Sequence, residues 1–138
     1  MPVLVDFGLA GRKVRPGCGS PYYGAPEVWD TAAFGDRIDQ RATDVYAFSC
    51  LAYELLTGKP LFAGPTLPAI FALHLTHDGG PPELDWLRNH DRHASLADLL
   101  AAGLTREPRM RISMQAMRAR LKEIARERLA DATWPLRP

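Results

Sequence analysis

Residues 43–60, Thr-Asp-Val-Tyr-Ala-Phe-Ser-Cys-Leu-Ala-Tyr-Glu-Leu-Leu-Thr-Gly-Lys-Pro, constrain the fold more than any other stretch of the chain. Between Val45 and Leu56 only Ser49 and Glu54 are clearly polar. Thr43 reads as the N-cap, Gly58 as the C-terminal stop, and Pro60 lies just beyond it. A helix apolar on nearly every side is buried on every side. The segment therefore predicts the centre of a helical fold.

Weaker helical signals surround it. A short helix is expected at Pro26 to Asp30, with proline in the tolerated first turn. Another runs from Thr66 to about His74, with Pro68 near its start. Ser95 to Leu104 begins with Ser95 and Asp98 at capping-box spacing. Ser113 to about Ala130 places Met114, Met117, Leu121 and Ile124 on one stripe, with Arg and Lys on the other side. Residues 2–8 read as a short strand and turn. Residues 9–24, with Gly11, Pro16, Gly17, Gly19, Pro21 and Gly24, read as a loop. Residues 76–94 read as a long polar connection. The fold class is mainly α: a buried central helix, about four further helices, and minimal β at the N-terminus.

At 138 residues the chain is at most one domain. Apolar residues make up 46% and charged residues 24%, a globular composition. A formal charge of +1 gives no argument for nucleic acid or an anionic membrane as partner. Two cysteines, Cys18 and Cys50, form no disulfide framework and no CxxC pair, so a reducing, cytoplasmic setting is expected. The sequence has neither a signal-peptide pattern nor an apolar run of the ~18 residues that a membrane span needs.

Four short motifs carry the chemistry. Val3-Leu4-Val5 runs into Asp6-Phe7-Gly8, which sets one carboxylate at the end of a strand with a glycine hinge behind it. Then come Gly19-Ser20-Pro21-Tyr22-Tyr23-Gly24-Ala25-Pro26-Glu27, Asp44-Val45-Tyr46-Ala47-Phe48-Ser49, and Glu107-Pro108-Arg109-Met110-Arg111. In this order and spacing the chain resembles the C-terminal lobe of a eukaryotic-type (Hanks-type) serine/threonine protein kinase, from its Asp-Phe-Gly motif onward. The resemblance implies a partial kinase domain over residues 1–130, with an activation segment at 6–27, a helical lobe at 28–130 and a tail at 131–138.

What the resemblance implies for each residue is specific. Asp6 matches the aspartate that holds Mg²⁺ against the phosphates of ATP, a hard cation that takes carboxylate oxygen. Phe7 and Gly8 match the aromatic and the hinge that mark active and inactive states. Ser20 matches the hydroxyl residue of the substrate-facing loop in serine/threonine kinases; the bland alternative is a Ser-Pro turn. Glu27 matches a glutamate that pairs with a late arginine, here Arg111. Asp44 matches the aspartate at the head of the central helix that holds the catalytic loop's backbone; the bland alternative is a first-turn dipole partner, and the two roles are compatible. Glu54 sits where basophilic members bind a substrate arginine, although a solvated charge at a helix end is the commoner role.

The sequence also departs from the family. Ser49 stands where the family has glycine, and Glu107 where aspartate is more frequent. No Ser or Thr lies between Leu9 and Gly19 and only Ser20, Tyr22 and Tyr23 remain, so the expected type is a kinase not switched by loop phosphorylation. The 138 residues contain no glycine-rich phosphate loop, no strand lysine and no catalytic-loop aspartate. The reading is thus a portion of a protein serine/threonine kinase using ATP and Mg²⁺, inactive as an isolated chain. It would act on protein substrates, and would need the rest of the kinase domain or self-association. The alternative is a non-catalytic, kinase-like interaction module. His74-Xaa2-His77 and His90-Xaa2-His93 have spacing seen in zinc sites, but neither cysteine lies nearby and one pair sits in a polar connection, so metal binding is not expected.

Overall fold

The computed structural model describes residues 19–35, 38–89 and 93–131. Among these residues the chain forms seven helices and no strand: α1 (Pro26–Trp29), α2 (Thr31–Phe34), α3 (Gln40–Thr57), α4 (Leu67–Thr76), α5 (Glu83–Arg88), α6 (Ala94–Gly103) and α7 (Met114–Asp131). The expected N-terminal strand lies outside the described residues. The mainly α fold expected from the sequence is the fold observed.

Helix α3 packs against both α6 and α7, which also pack on each other, while α6 rests on α5 and α1 rests on α4. It starts earlier than the sequence implied. Asp39 is the N-cap, its carboxylate accepting from Arg41 N–H at 2.9 Å, and Thr43 lies one turn inside. Gly58, in the left-handed region at φ 72°, closes the helix by donating its N–H to Glu54 O. Few side chains tolerate that backbone, which explains the glycine.

The expectation of all-round burial for α3 needs correction. Val45, Tyr46, Ser49, Cys50 and Tyr53 are buried, yet Phe48, Leu51 and Leu55 face outward, and Leu55 is 78% exposed. These three follow helical spacing and form one apolar stripe. Two clusters bury the inner face. One joins Tyr46, Cys50 and Tyr53 to Leu61, Phe62, Ile70, Leu84, Leu87 and Leu100; the other joins Val45 and Leu99 to Met117 and Ile124.

Three local expectations also change. The stretch 76–94 contains α5, because Leu84 and Leu87, three apart, both reach the core and are fully buried. Helix α6 begins after His93 with no side-chain cap, so Ser95 and Asp98 form no capping box. Asp98 instead accepts from Arg88 Nε at 3.4 Å, bracing α6 on α5. In α7, Ser113 caps by accepting from Ala116 N–H, while Met114 is 47% exposed and falls off the buried stripe.

Candidate functional site

The Ala-Pro-Glu motif and the Glu-Pro-Xaa-Xaa-Arg loop meet beneath α3. Arg111 grips Glu27 through two parallel bonds, Nη1 to Oε1 at 2.7 Å and Nη2 to Oε2 at 3.0 Å. Both side chains are fully buried. Such a pair survives desolvation only if its remaining donors and acceptors are also met. Here they are. Arg111 also donates to the Thr105, Ala42 and Arg106 carbonyls, and Thr43 Oγ1 donates to Glu27 Oε1 at 3.0 Å. The guanidinium lies 5.0 Å from the centroid of the Tyr46 ring, within cation–π range. One arginine thereby fastens α1, α3 and the loop ahead of α7 together.

Ahead of α1, Ser20 is exposed and its carbonyl accepts from Tyr23 N–H and Gly24 N–H, closing the Ser-Pro turn. Its hydroxyl is directed at none of the described partners. The turn is pinned by Tyr23, whose hydroxyl donates to Glu54 Oε2 at 2.6 Å. That bond, followed by burial, raises the Tyr23 pKa above its usual value. Glu54 is half-buried and engaged, not the freely solvated charge that the sequence favoured. Trp29 completes the anchorage: its indole N–H donates to Gly24 O at 2.9 Å, and its ring stacks on Phe71 of α4 at 4.3 Å. A β-carbon at position 24 would overlap that indole, so glycine is required there.

Asp44 lies in the second turn of α3, exposed, with its pKa raised by partial burial. It stands too far from the first turn for the dipole role. Asp44 begins the same outward line of α3 that continues through Phe48, Leu51 and Leu55. Asp6, Phe7 and Gly8 lie outside the described residues, so their roles rest on the motif alone.

Behind Tyr46, His74 Nδ1 and His77 Nε2 stand 2.8 Å and 2.7 Å from its hydroxyl. The sequence flagged this histidine pair by its spacing but could not show the tyrosine between them. No group of three or more His, Cys, Asp or Glu side chains among the described residues is placed to hold a metal. No helix among them is long and apolar enough to cross a membrane.

A helical lobe built on a central α3, with Ala-Pro-Glu locked to a late arginine, defines a class: the lower lobe of a protein kinase. The chain belongs to the protein kinase domain family, whose model matches residues 2–121. It is similar to the serine/threonine-protein kinase PknB of Mycobacterium tuberculosis (strain H37Rv), with 31% identity over 131 residues, 88% of this chain and 20% of that protein. The PknB of Mycolicibacterium smegmatis is also 31% identical, covering 94% of this chain and 21% of its own length. Human calcium/calmodulin-dependent protein kinase type 1B is 32% identical over 119 residues, 82% of this chain and 32% of that kinase. The chain thus spans between a fifth and a third of the length of these relatives.

Proposed function

We propose that this chain forms the lower lobe of a serine/threonine protein kinase that transfers phosphate from Mg-ATP to protein hydroxyls. The observation that carries the reading is the doubly bonded Glu27–Arg111 pair under Tyr46, which unites three of the four kinase motifs in one buried assembly. In this reading Asp6 supplies carboxylate oxygen to Mg²⁺, the donor that a hard cation prefers, and the metal neutralises charge on the transferring phosphate. Ser20 lines the substrate-facing turn, Phe7 is the aromatic whose packing marks active and inactive states, and Gly8 is the hinge. Tyr23 and Glu54 hold that turn on α3, and the free side of Glu54 is available to a basic residue of the substrate. Protein substrate, ATP and Mg²⁺ are the partners implied.

The 138 residues supply no catalytic base, so the isolated chain is inactive on this account. Its exposed stripe Phe48–Leu51–Leu55, with Asp44 at one end, is the seat for the rest of the kinase domain. A second reading, a non-catalytic interaction module, draws on the same bare stripe, because an apolar face of this kind binds something. Purified chain incubated with Mg-ATP and a generic protein substrate separates inactivity from activity. Phosphate incorporation no greater than that of Asp6→Ala is expected, and incorporation clearly above it would overturn the claim of inactivity.

A further inference from the structure

The contacts around Tyr46 fix the position of every proton in its hydrogen-bond chain. Gly79 N–H donates to His77 Nδ1 at 3.2 Å, so that nitrogen is an acceptor and carries no proton. Neutral His77 then bears its proton on Nε2, which donates to the Tyr46 oxygen at 2.7 Å. The Tyr46 hydroxyl is left to donate to His74 Nδ1 at 2.8 Å. His74 must therefore carry its own proton on Nε2, a buried atom with no well-formed partner, close to the Pro21 backbone. The chain runs one way, from the turn after α4, through α3, and back into α4.

Two of its three members lie in the core, and His77 is half-buried at its outer end. His74 and Tyr46 are fully buried, and Phe62 stands edge-on to His74 at 4.8 Å and tilted over His77 at 5.0 Å. Among the described residues the charged and titratable neighbours are few. Arg111 lies over the Tyr46 ring with Glu27 bound to it, Cys50 lies near Tyr46 on α3, and Arg106 and Asp78 lie near His77. Asp78 favours a charged His77, whereas the two arginines oppose it.

We propose that His77, Tyr46 and His74 form an acid-release latch that holds α4 and its following turn on α3 only while both imidazoles are neutral. A proton added to His77 must go on Nδ1, where it meets the Gly79 N–H donor to donor. A proton added to His74 must go on Nδ1, where it evicts the Tyr46 hydroxyl proton, which then has no acceptor. Either event breaks the chain inside the core. Burial, reinforced for His74 by His77 and for His77 by the arginines, lowers both histidines to about 4. The unfolded chain protonates them near 6.5. The sign follows: the latch is closed above pH 6.5, and its stability is lost as pH falls toward about 4.

Denaturant melts of the whole chain from about pH 8 to about pH 4 read this directly, since each proton taken up on unfolding raises the unfolding constant about tenfold per pH unit. The latch predicts up to two such protons, hence up to a hundredfold per unit, beyond that of a variant carrying His74→Asn and His77→Gln. In that variant Asn Oδ1 replaces the acceptor and Gln Nε2 the donor, and neither titrates. Equal pH slopes for the two proteins would overturn the proposal. If the variant does not fold, ¹⁵N spectra of the imidazoles in the unaltered protein decide. Both rings in the Nε2–H form, with no titration before unfolding, support the latch; titration near 6.5 in the folded chain contradicts it.

Discussion

Gly103 of α6 lies directly on Ser49 of α3, so close that a β-carbon at 103 would overlap Ser49 Oγ and crowd Met117 Cε. Ser49 is the residue that replaces the usual glycine of the family motif. Its hydroxyl donates to Val45 O at 2.9 Å, satisfying the polar group within its own helix. The added volume on α3 is accommodated by its absence on α6, and the two helices keep a close approach.

Gly103→Ala should therefore destabilise the chain by about 1–3 kcal/mol through overpacking, despite the better helix propensity of alanine. Adding Ser49→Gly should restore most of that loss. A denaturant-melt cycle of the two single mutants and the double mutant measures the coupling. Additive effects would mean that the helices separate freely at this point.

The Glu27–Arg111 pair gives a second cycle. Removing either partner leaves a buried charge alone, at a cost of about 3–5 kcal/mol. Glu27→Gln and Arg111→Met should each lose that much, and the double mutant much less than the sum. Arg111→Lys should rescue poorly, because an ammonium cannot reproduce the two parallel bonds or reach three carbonyls. Single mutants as stable as the parent would contradict the geometry.

The bare stripe on α3 predicts association. Sedimentation of the isolated chain over a range of concentrations should show self-association, together with binding of a hydrophobic dye. Leu55→Glu with Leu51→Gln should reduce both while leaving the far-ultraviolet circular dichroism unchanged, because the two side chains lie outside the core. A monomer that binds no dye would mean that the stripe is covered in another way.

Motif order made the kinase lobe legible in the sequence, and the apolar run 45–56 made its central helix legible. Helix α5 was hidden because its two core leucines sit among prolines and charges, and two positions are too few to show a period. The start of α3 was misplaced for a different reason. Thr43 has the chemistry of a cap, but its hydroxyl is used for Glu27, and Asp39 caps instead. The outward stripe is not legible because apolar residues on every side of a helix imply burial only where neighbours surround it. The chain alone buries only one side. The Tyr46 relay could not be read at all, since it depends on α3 and α4 meeting across 28 residues.

The most direct test of the central claim is a chimaera. The segment of mycobacterial PknB that matches this chain is replaced by residues 1–131, and phosphate transfer from Mg-ATP to a serine-containing protein is measured. The account predicts transfer by the folded chimaera and its loss in Asp6→Ala. A folded chimaera that transfers no phosphate, or one that is indifferent to Asp6, would contradict it.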